Sequence, residues 1–321
     1  LRAQLDEKDV HAKFAQLHRE LRKRENPRGR DARRGFRLRV INGIWHDASI
    51  DPTSRFLRLA HNKHGAEIAA ADFQAAAAAR GTINAFVDDA TGGKIADVVA
   101  AGRLTSLTRL LFVDAVHYDA PWQVPFARAQ TKSRPFHSPS GTHDVAMMAQ
   151  RDRFAYLKGE GFALVELPYE GGEVVATILV PDGDIDAFGA SIDASFFEWM
   201  TTSARQSDIE VWLPRFEIRT SQSLERALSG MGMPDAFDPA RANFGALADA
   251  ASRPIYIDDL LHETRVSVDE DGTEANASAR PVTPAVAPTP AIELHADRPF
   301  LFIVRDVPTG AILFLGRVVD P

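Results

Sequence analysis

The 321-residue chain contains no cysteine, so disulfides, thiol nucleophiles and thiolate metal sites are excluded from its chemistry. No apolar run approaches the roughly 18 residues that a membrane-spanning helix needs, and no membrane partner is expected. The patterns G-x-S-x-G, H-E-x-x-H, G-x-x-x-x-G-K-[ST] and G-x-G-x-x-G are all missing. His262-Glu263 lacks the second histidine, and Gly159-Glu160-Gly161 lacks the third glycine. No catalytic residue, cofactor or metal is therefore expected, and an enzyme is disfavoured. No Pro/Gly/Ser-rich linker and no fixed-period repeat divides the chain, which favours one domain over residues 1–321. What remains is ordinary globular composition, 45% hydrophobic and 25% charged, with a net charge of −7.

Apolar positions Val10, Phe14, Leu17 and Leu21 fall at helical spacing and predict a helix from Leu5 to about Leu21. Alternation from Phe36 to Trp45 reads as a strand. Asp51-Pro52-Thr53 opens a helix to about Ala60, with proline just inside its start. A long Ala-rich helix is expected from Ala71 to Val87, and a strand from Thr105 to Tyr118. Further strands are expected over 164–168, 174–180 and 209–218, and short helices over 196–200 and 223–230. Helices fill the first half and strands the second, which gives an α+β fold.

The most informative stretch is Asp269 to Ala279. From Thr273 onward the odd positions are Thr273, Ala275, Ala277 and Ala279, and the even ones are Glu274, Asn276, Ser278 and Arg280. This is a strand period written in small side chains. Such residues bury little apolar area and have weak strand propensity, so the segment needs a sheet already prepared to receive it. Upstream the apolar phase lies on Val266 and Val268, so the face changes across Asp271-Gly272, where glycine suits a hinge. Residues 281–291 then carry four prolines in eleven positions, the composition of an exposed extended loop. The chain closes with two apolar runs flanking Pro308-Thr309-Gly310, a buried β-hairpin.

Taken together these segments resemble the serpins. Val268 to Ala275 resembles the family's hinge, and Asp297-Arg298-Pro299-Phe300-Leu301-Phe302 with Phe314-Leu315-Gly316-Arg317-Val318-Val319 its ending. In the same order come Trp122 with Pro125-Phe126, Thr131-Lys132 with Arg134-Pro135-Phe136-His137, Leu213-Pro214-Arg215-Phe216, Leu228 to Phe237, and Tyr256 to His262. Ile83 to Val87 and Thr91 to Ile95 resemble the segment around the family's helix F. The likeness runs from about residue 6 to the end. It implies a large central sheet with further sheets, surrounding helices and an exposed reactive-centre loop at about 271–297. It also implies that helices and a strand precede the part resembling Asp9 to Phe14, so the chain is expected to be N-terminally incomplete.

The implied activity is suicide-substrate inhibition of serine proteases. The protease cuts the loop, becomes acylated, and the hinge inserts as a new strand of the main sheet. The implied partner is a serine protease, the protein a monomer, and the setting extracellular or periplasmic. Counting from Gly272 places the cut after Val286, whereas counting back from Pro299 places it after Pro288. Bonds that precede proline are poor substrates, which leaves Val286-Ala287 first and Ala285-Val286 next. A valine or alanine there suits an elastase- or subtilisin-like pocket. The hinge comprises Glu270, Gly272, Thr273, Glu274, Ala275, Asn276, Ala277, Ser278 and Ala279. The resemblance places sheet-control points at Arg215, His262, Asp114 and Trp122: Glu270 is expected to pair with Arg215, and His262 to lie near Asp114, where a carboxylate would make sheet opening respond to pH. Pro281 lies where the inserting strand needs a ladder donor, and insertion is expected to stall near it. Asn276-Ala277-Ser278 is in addition an N-glycosylation acceptor pattern. The alternative from another class is a non-inhibitory serpin-fold binding protein or simple substrate.

Residues 19–39 hold ten Arg or Lys against three acidic residues, a local charge of +7. Arg22, Lys23, Arg24, Arg28, Arg30, Arg33 and Arg34 make this a candidate polyanion site, for instance for a glycosaminoglycan, with a solvated basic face as the alternative.

Overall fold

The computed structural model describes residues 7–24, 37–248, 253–273 and 292–321. Its elements run α1 (Glu7–Arg24), β1 (Arg37–Asp47), α2 (Ser54–His64), β2 (Glu67–Ala71), α3 (Ala76–Thr91), β3 (Leu110–Pro121), β4 (Lys132–Ser138), β5 (Gly141–Gly159), β6 (Phe162–Pro168) and β7 (Val174–Pro181). They continue with α4 (Ile185–Ser191), α5 (Ala194–Ser203), β8 (Arg205–Pro214), β9 (Phe216–Ser223), α6 (Glu225–Gly230), β10 (Ile257–Val268), β11 (Gly272–Thr273), β12 (Ile292–His295), β13 (Phe300–Asp306) and β14 (Ile312–Val318).

Local chemistry moves several boundaries from where the sequence places them. Pro52 stays outside α2 because Thr53 is the N-cap, its hydroxyl accepting from the Phe56 N–H at 3.2 Å. Ala71 ends a strand, not a helix: β2 pairs in parallel with β1, Ala71 opposite Asp47, and the helical run starts only after Asp72 caps a short 3₁₀ turn. The strand expected over 209–218 divides at Arg215 into β8 and β9. The first helix buries Ala15 and Leu21, whereas Phe14 is 49% exposed, so its inward face is turned from the expected stripe.

The chain forms two compact units, each assembled from three separate stretches. In the first, β1 pairs with β2, and β3 pairs in parallel with β10 from Ile257↔Leu110 to Arg265↔His117. Alternate residues Leu111, Val113 and Ala115, with Leu261, pack against Ile83 and Val87 of α3 and against Val98 and Val99. Asn84 fixes that packing by accepting from the Val99 N–H at 2.9 Å and donating back to the Val99 carbonyl at 3.1 Å.

The second unit contains an eight-stranded sheet in the order β12-β8-β5-β6-β7-β13-β14, with β4 paired to β5. β7 is buried throughout, as a strand covered on both faces must be. The expected terminal hairpin is present as β13 and β14, joined through Gly310 at φ 70°. The last residues of β3 and β10 also belong to this unit, and there β11 lies between them.

Candidate functional site: the hinge strand and its clamp

β10 ends at Val268, turns within four residues, and returns antiparallel as β11. The turn closes through Asp269 N–H to Gly272 O at 3.0 Å, and the Asp269 carboxylate accepts from Asp271 N–H at 2.9 Å and Gly272 N–H at 3.3 Å. Burial pushes the Asp269 carboxyl up, the Asp271 and Glu270 charges add to this, and the two backbone donors oppose it.

Gly272 faces Pro121 and Thr273 faces Ala120 on one side, while Thr273 faces Val268 on the other. A Cβ at Gly272 would stand 2.2 Å from the Ala120 carbonyl oxygen and 2.7 Å from Pro121 Cα, so the strands close on this position only around glycine. Thr273 is fully buried, and its hydroxyl hydrogen-bonds the Tyr169 hydroxyl at 2.6 Å. Tyr169 is stacked on Trp122, with ring centroids 4.6 Å apart. The Trp122 indole N–H donates to the Asp269 carbonyl at 2.9 Å, and its backbone N–H to Asp271 O at 2.9 Å. Burial pushes the Tyr169 hydroxyl far up, so it is neutral and available to donate.

Glu270 anchors the turn from the other side. Its Oε1 accepts from Arg215 Nε at 3.0 Å, Arg215 Nη2 at 2.5 Å and Thr131 Oγ1 at 2.5 Å. Its Oε2 is buried without a hydrogen-bond partner among the described residues, and Arg128 Nη1 stands 4.0 Å away. Burial alone would push this carboxyl up. The Arg215 and Thr131 hydrogen bonds and its own N–H outweigh that, so it lies below the ordinary carboxylate range. Arg128 also pairs with the Asp271 carboxylate.

In the first unit, His262 Nδ1 and Asp114 Oδ2 are 2.6 Å apart and directly paired across β10 and β3. Two groups of expected site residues are therefore placed: Glu270, Gly272, Thr273, Arg215 and Trp122 in one cluster, and His262 with Asp114 in another. Glu274, Ala275, Asn276, Ala277, Ser278 and Ala279 lie outside the described residues, as do Pro281, Ala285, Val286 and Ala287. Of the basic positions, Arg22 and Lys23 are described, Lys23 being paired to Glu20 at 2.8 Å. Only the backbone of Arg24 is described, and Arg28, Arg30, Arg33 and Arg34 lie outside the described residues. Sequence reasoning missed Tyr169 and Arg128. Tyr169 is one of only four tyrosines, a weak pointer, and nothing near Arg128 in the chain links it to an acidic run 143 positions away.

The family model described as Serpin (serine protease inhibitor) matches residues 1–321. Leukocyte elastase inhibitor A of Rattus norvegicus is 32% identical over 326 residues, 98% of this chain and 83% of that protein. The crystal structure of native protease nexin-1 with heparin is similar at a TM-score of 0.80 and 27% identity, over 88% of this chain and 77% of that one. The native-state structure of tengpin, a thermophilic serpin, has the same fold at a TM-score of 0.89 and 23% identity, over 99% of this chain and 80% of that one.

Proposed function

This chain belongs to the serpin family and has its α+β fold, and we propose that it inhibits serine proteases as a suicide substrate whose hinge is already seated in the sheet. The carrying observation is β11: Gly272 and Thr273 occupy ladder positions between β3 and β10, with Thr273 buried. That burial phases everything downstream. In a strand continuing from Thr273, Ala275, Ala277 and Ala279 take the same face, and Glu274, Asn276 and Ser278 take the opposite one.

The register carries the count further. Along β3 and β10, Ala275 falls opposite Tyr118 and Val266, and Ala277 opposite Val116 and Thr264. Ala279 falls opposite Asp114 and His262, by extension of the Ala120 and Val268 pairings. Completing the strand thus requires the 2.6 Å His262–Asp114 hydrogen bond to break where Ala279 enters. Small side chains at 275, 277 and 279 suit passage between parting strands, and the polar contact holds the sheet closed until then.

In the proposed reaction the protease serine oxygen attacks the Val286 carbonyl carbon, and the Val286–Ala287 amide breaks with release of the Ala287 amine. The acyl-enzyme is carried off by strand insertion before water reaches the ester. Val286, or Ala285, suits the small apolar pocket of an elastase or subtilisin. Similarity to a leukocyte elastase inhibitor supports the same class of target. Incubation of the full chain with pancreatic elastase and with subtilisin is expected to give a complex that survives denaturing electrophoresis. Clean cleavage without such a complex leaves only the non-inhibitory reading. Polyanion binding through residues 19–39 is a separate proposal, favoured by the likeness to a serpin crystallised with heparin and tested by retention on immobilised heparin at physiological salt.

A further inference from the structure

Residues 122–131 wrap the hinge turn, and their contacts with it differ in how far water reaches them. The Trp122 N–H donates to Asp271 O at 2.9 Å, and the Phe126 N–H to Glu270 O at 2.9 Å. Phe126 is buried edge to face with Trp122, the ring centroids 6.1 Å apart. The chain then enters a 3₁₀ turn, Arg128–Gln130, closed by Thr131 N–H to Arg128 O at 3.2 Å. From this turn Thr131 reaches the Glu270 carboxylate and Arg128 reaches that of Asp271.

The two arginines that meet the hinge are not equivalent. The Glu270 carboxylate held by Arg215 is fully buried, so dissolved salt screens that pair little. Arg128 is 56% exposed and Asp271 13%, so their pair lies at the water boundary, where salt does screen it. Arg128 also stands 4.0 Å from the Glu270 oxygen that has no hydrogen-bond partner among the described residues. The hydrogen bond and charge of Asp271, followed by the charges of Glu270 and Asp269, raise the Arg128 pKa above an already high value. Protons therefore do not control this pair, and ionic strength does. Asp271 immediately precedes Gly272, whose N–H and carbonyl both close the turn onto Asp269. Whatever holds Asp271 thus steadies the first ladder residue of β11.

Resting on the suicide-substrate reading, we propose that Arg128 is a hinge-positioning residue that makes trapping depend on ionic strength: its pair with Asp271 keeps β11 seated at low salt and lets it fray at high salt. Strand completion starts from a seated Thr273, so fraying delays insertion and gives water longer to hydrolyse the acyl-enzyme. More inhibitor is then cut and released for each protease trapped.

Hydrogen exchange of the Trp122 and Phe126 amides in the full chain reports the seated hinge with no protease present. Raising salt from about 0.1 M to about 1 M shortens the Debye length from about 10 Å to about 3 Å, and is expected to speed that exchange about two- to fivefold, the worth of an exposed ion pair. Arg128→Gln and Asp271→Asn are expected to exchange at the fast rate at both salt concentrations, and Arg128→Lys to recover the salt dependence. In titrations against pancreatic elastase, the moles of parent protein consumed per mole of enzyme inhibited are expected to rise with salt in parallel, while Arg128→Gln shows the raised value throughout. Exchange equally slow in the parent and in Arg128→Gln overturns the assignment, as does a salt effect that persists undiminished in Arg128→Gln. Salt-dependent exchange that Arg128→Gln abolishes, with no covalent elastase complex at either salt concentration, would confirm Arg128 as the hinge holder and defeat only the inhibitor reading.

Discussion

At residue scale the hinge depends on an atom that is missing. Gly272 lets the chain pass 2.2 Å, measured from a virtual Cβ, from the Ala120 carbonyl oxygen, and backbone on that side cannot swing aside as a side chain would. Gly272→Ala is expected to expel β11 and to cost roughly 1–3 kcal/mol in urea unfolding, while raising the moles of protein consumed per mole of protease inhibited. An alanine variant as stable as the parent would mean that β11 is not held at this position. Gly272 was legible in the sequence because the alternation changes face there, and Glu270 only through the likeness to the serpin hinge, since it stands between Asp269 and Asp271 with nothing local to single it out. The rest of the clamp was not. Tyr169 and Arg128 act through space on Thr273 and Asp271, and neither carries a local pattern that separates it from an ordinary core tyrosine or surface arginine.

At the scale of elements, β10, the 269–272 turn and β11 form one device: a strand that doubles back into the sheet it has just left. Its continuation is governed by register. If the proposed strand continued by the same count, Pro281 would fall opposite Phe112 and Leu260, where a strand flanked on both sides needs an N–H that proline lacks. Pro281→Ala is therefore expected to raise the share of elastase trapped as stable complex relative to the share released after cleavage. An unchanged partition would show that the strand stops short of residue 281 or does not need its donor. The apolar runs located β3 and the β13–β14 hairpin, while of β10 the sequence reading caught only the alternation at Val266 and Val268. It missed the 19-residue β5, whose middle reads Arg151-Asp152-Arg153 and points into solvent or half-buried space. It also ran β8 and β9 together, since only the turn of Arg215 toward Glu270 separates them.

For the molecule as a whole, the proposed mechanism makes β11 the start of a strand that the intact protein has still to complete. Two ladder positions of β11 are filled, while further along β3 and β10 pair directly with each other and are locked by His262 and Asp114. Under the proposed mechanism a cut in the loop would free its N-terminal half to complete the strand. Each ladder hydrogen bond then contributes about 1 kcal/mol net, so a strand extending from Glu274 past Ala279 adds on the order of 5 kcal/mol. In a domain of this size that corresponds to an upward shift of about 7 °C in the unfolding midpoint. The decisive measurement is thermal unfolding of the full chain before and after a single cut in the 281–291 loop, with both fragments retained. The cut protein is expected to unfold at clearly higher temperature than the intact one. An equal or lower midpoint after cleavage would contradict it, leaving Gly272 and Thr273 as the end of a fixed turn and the loop beyond them as a simple substrate.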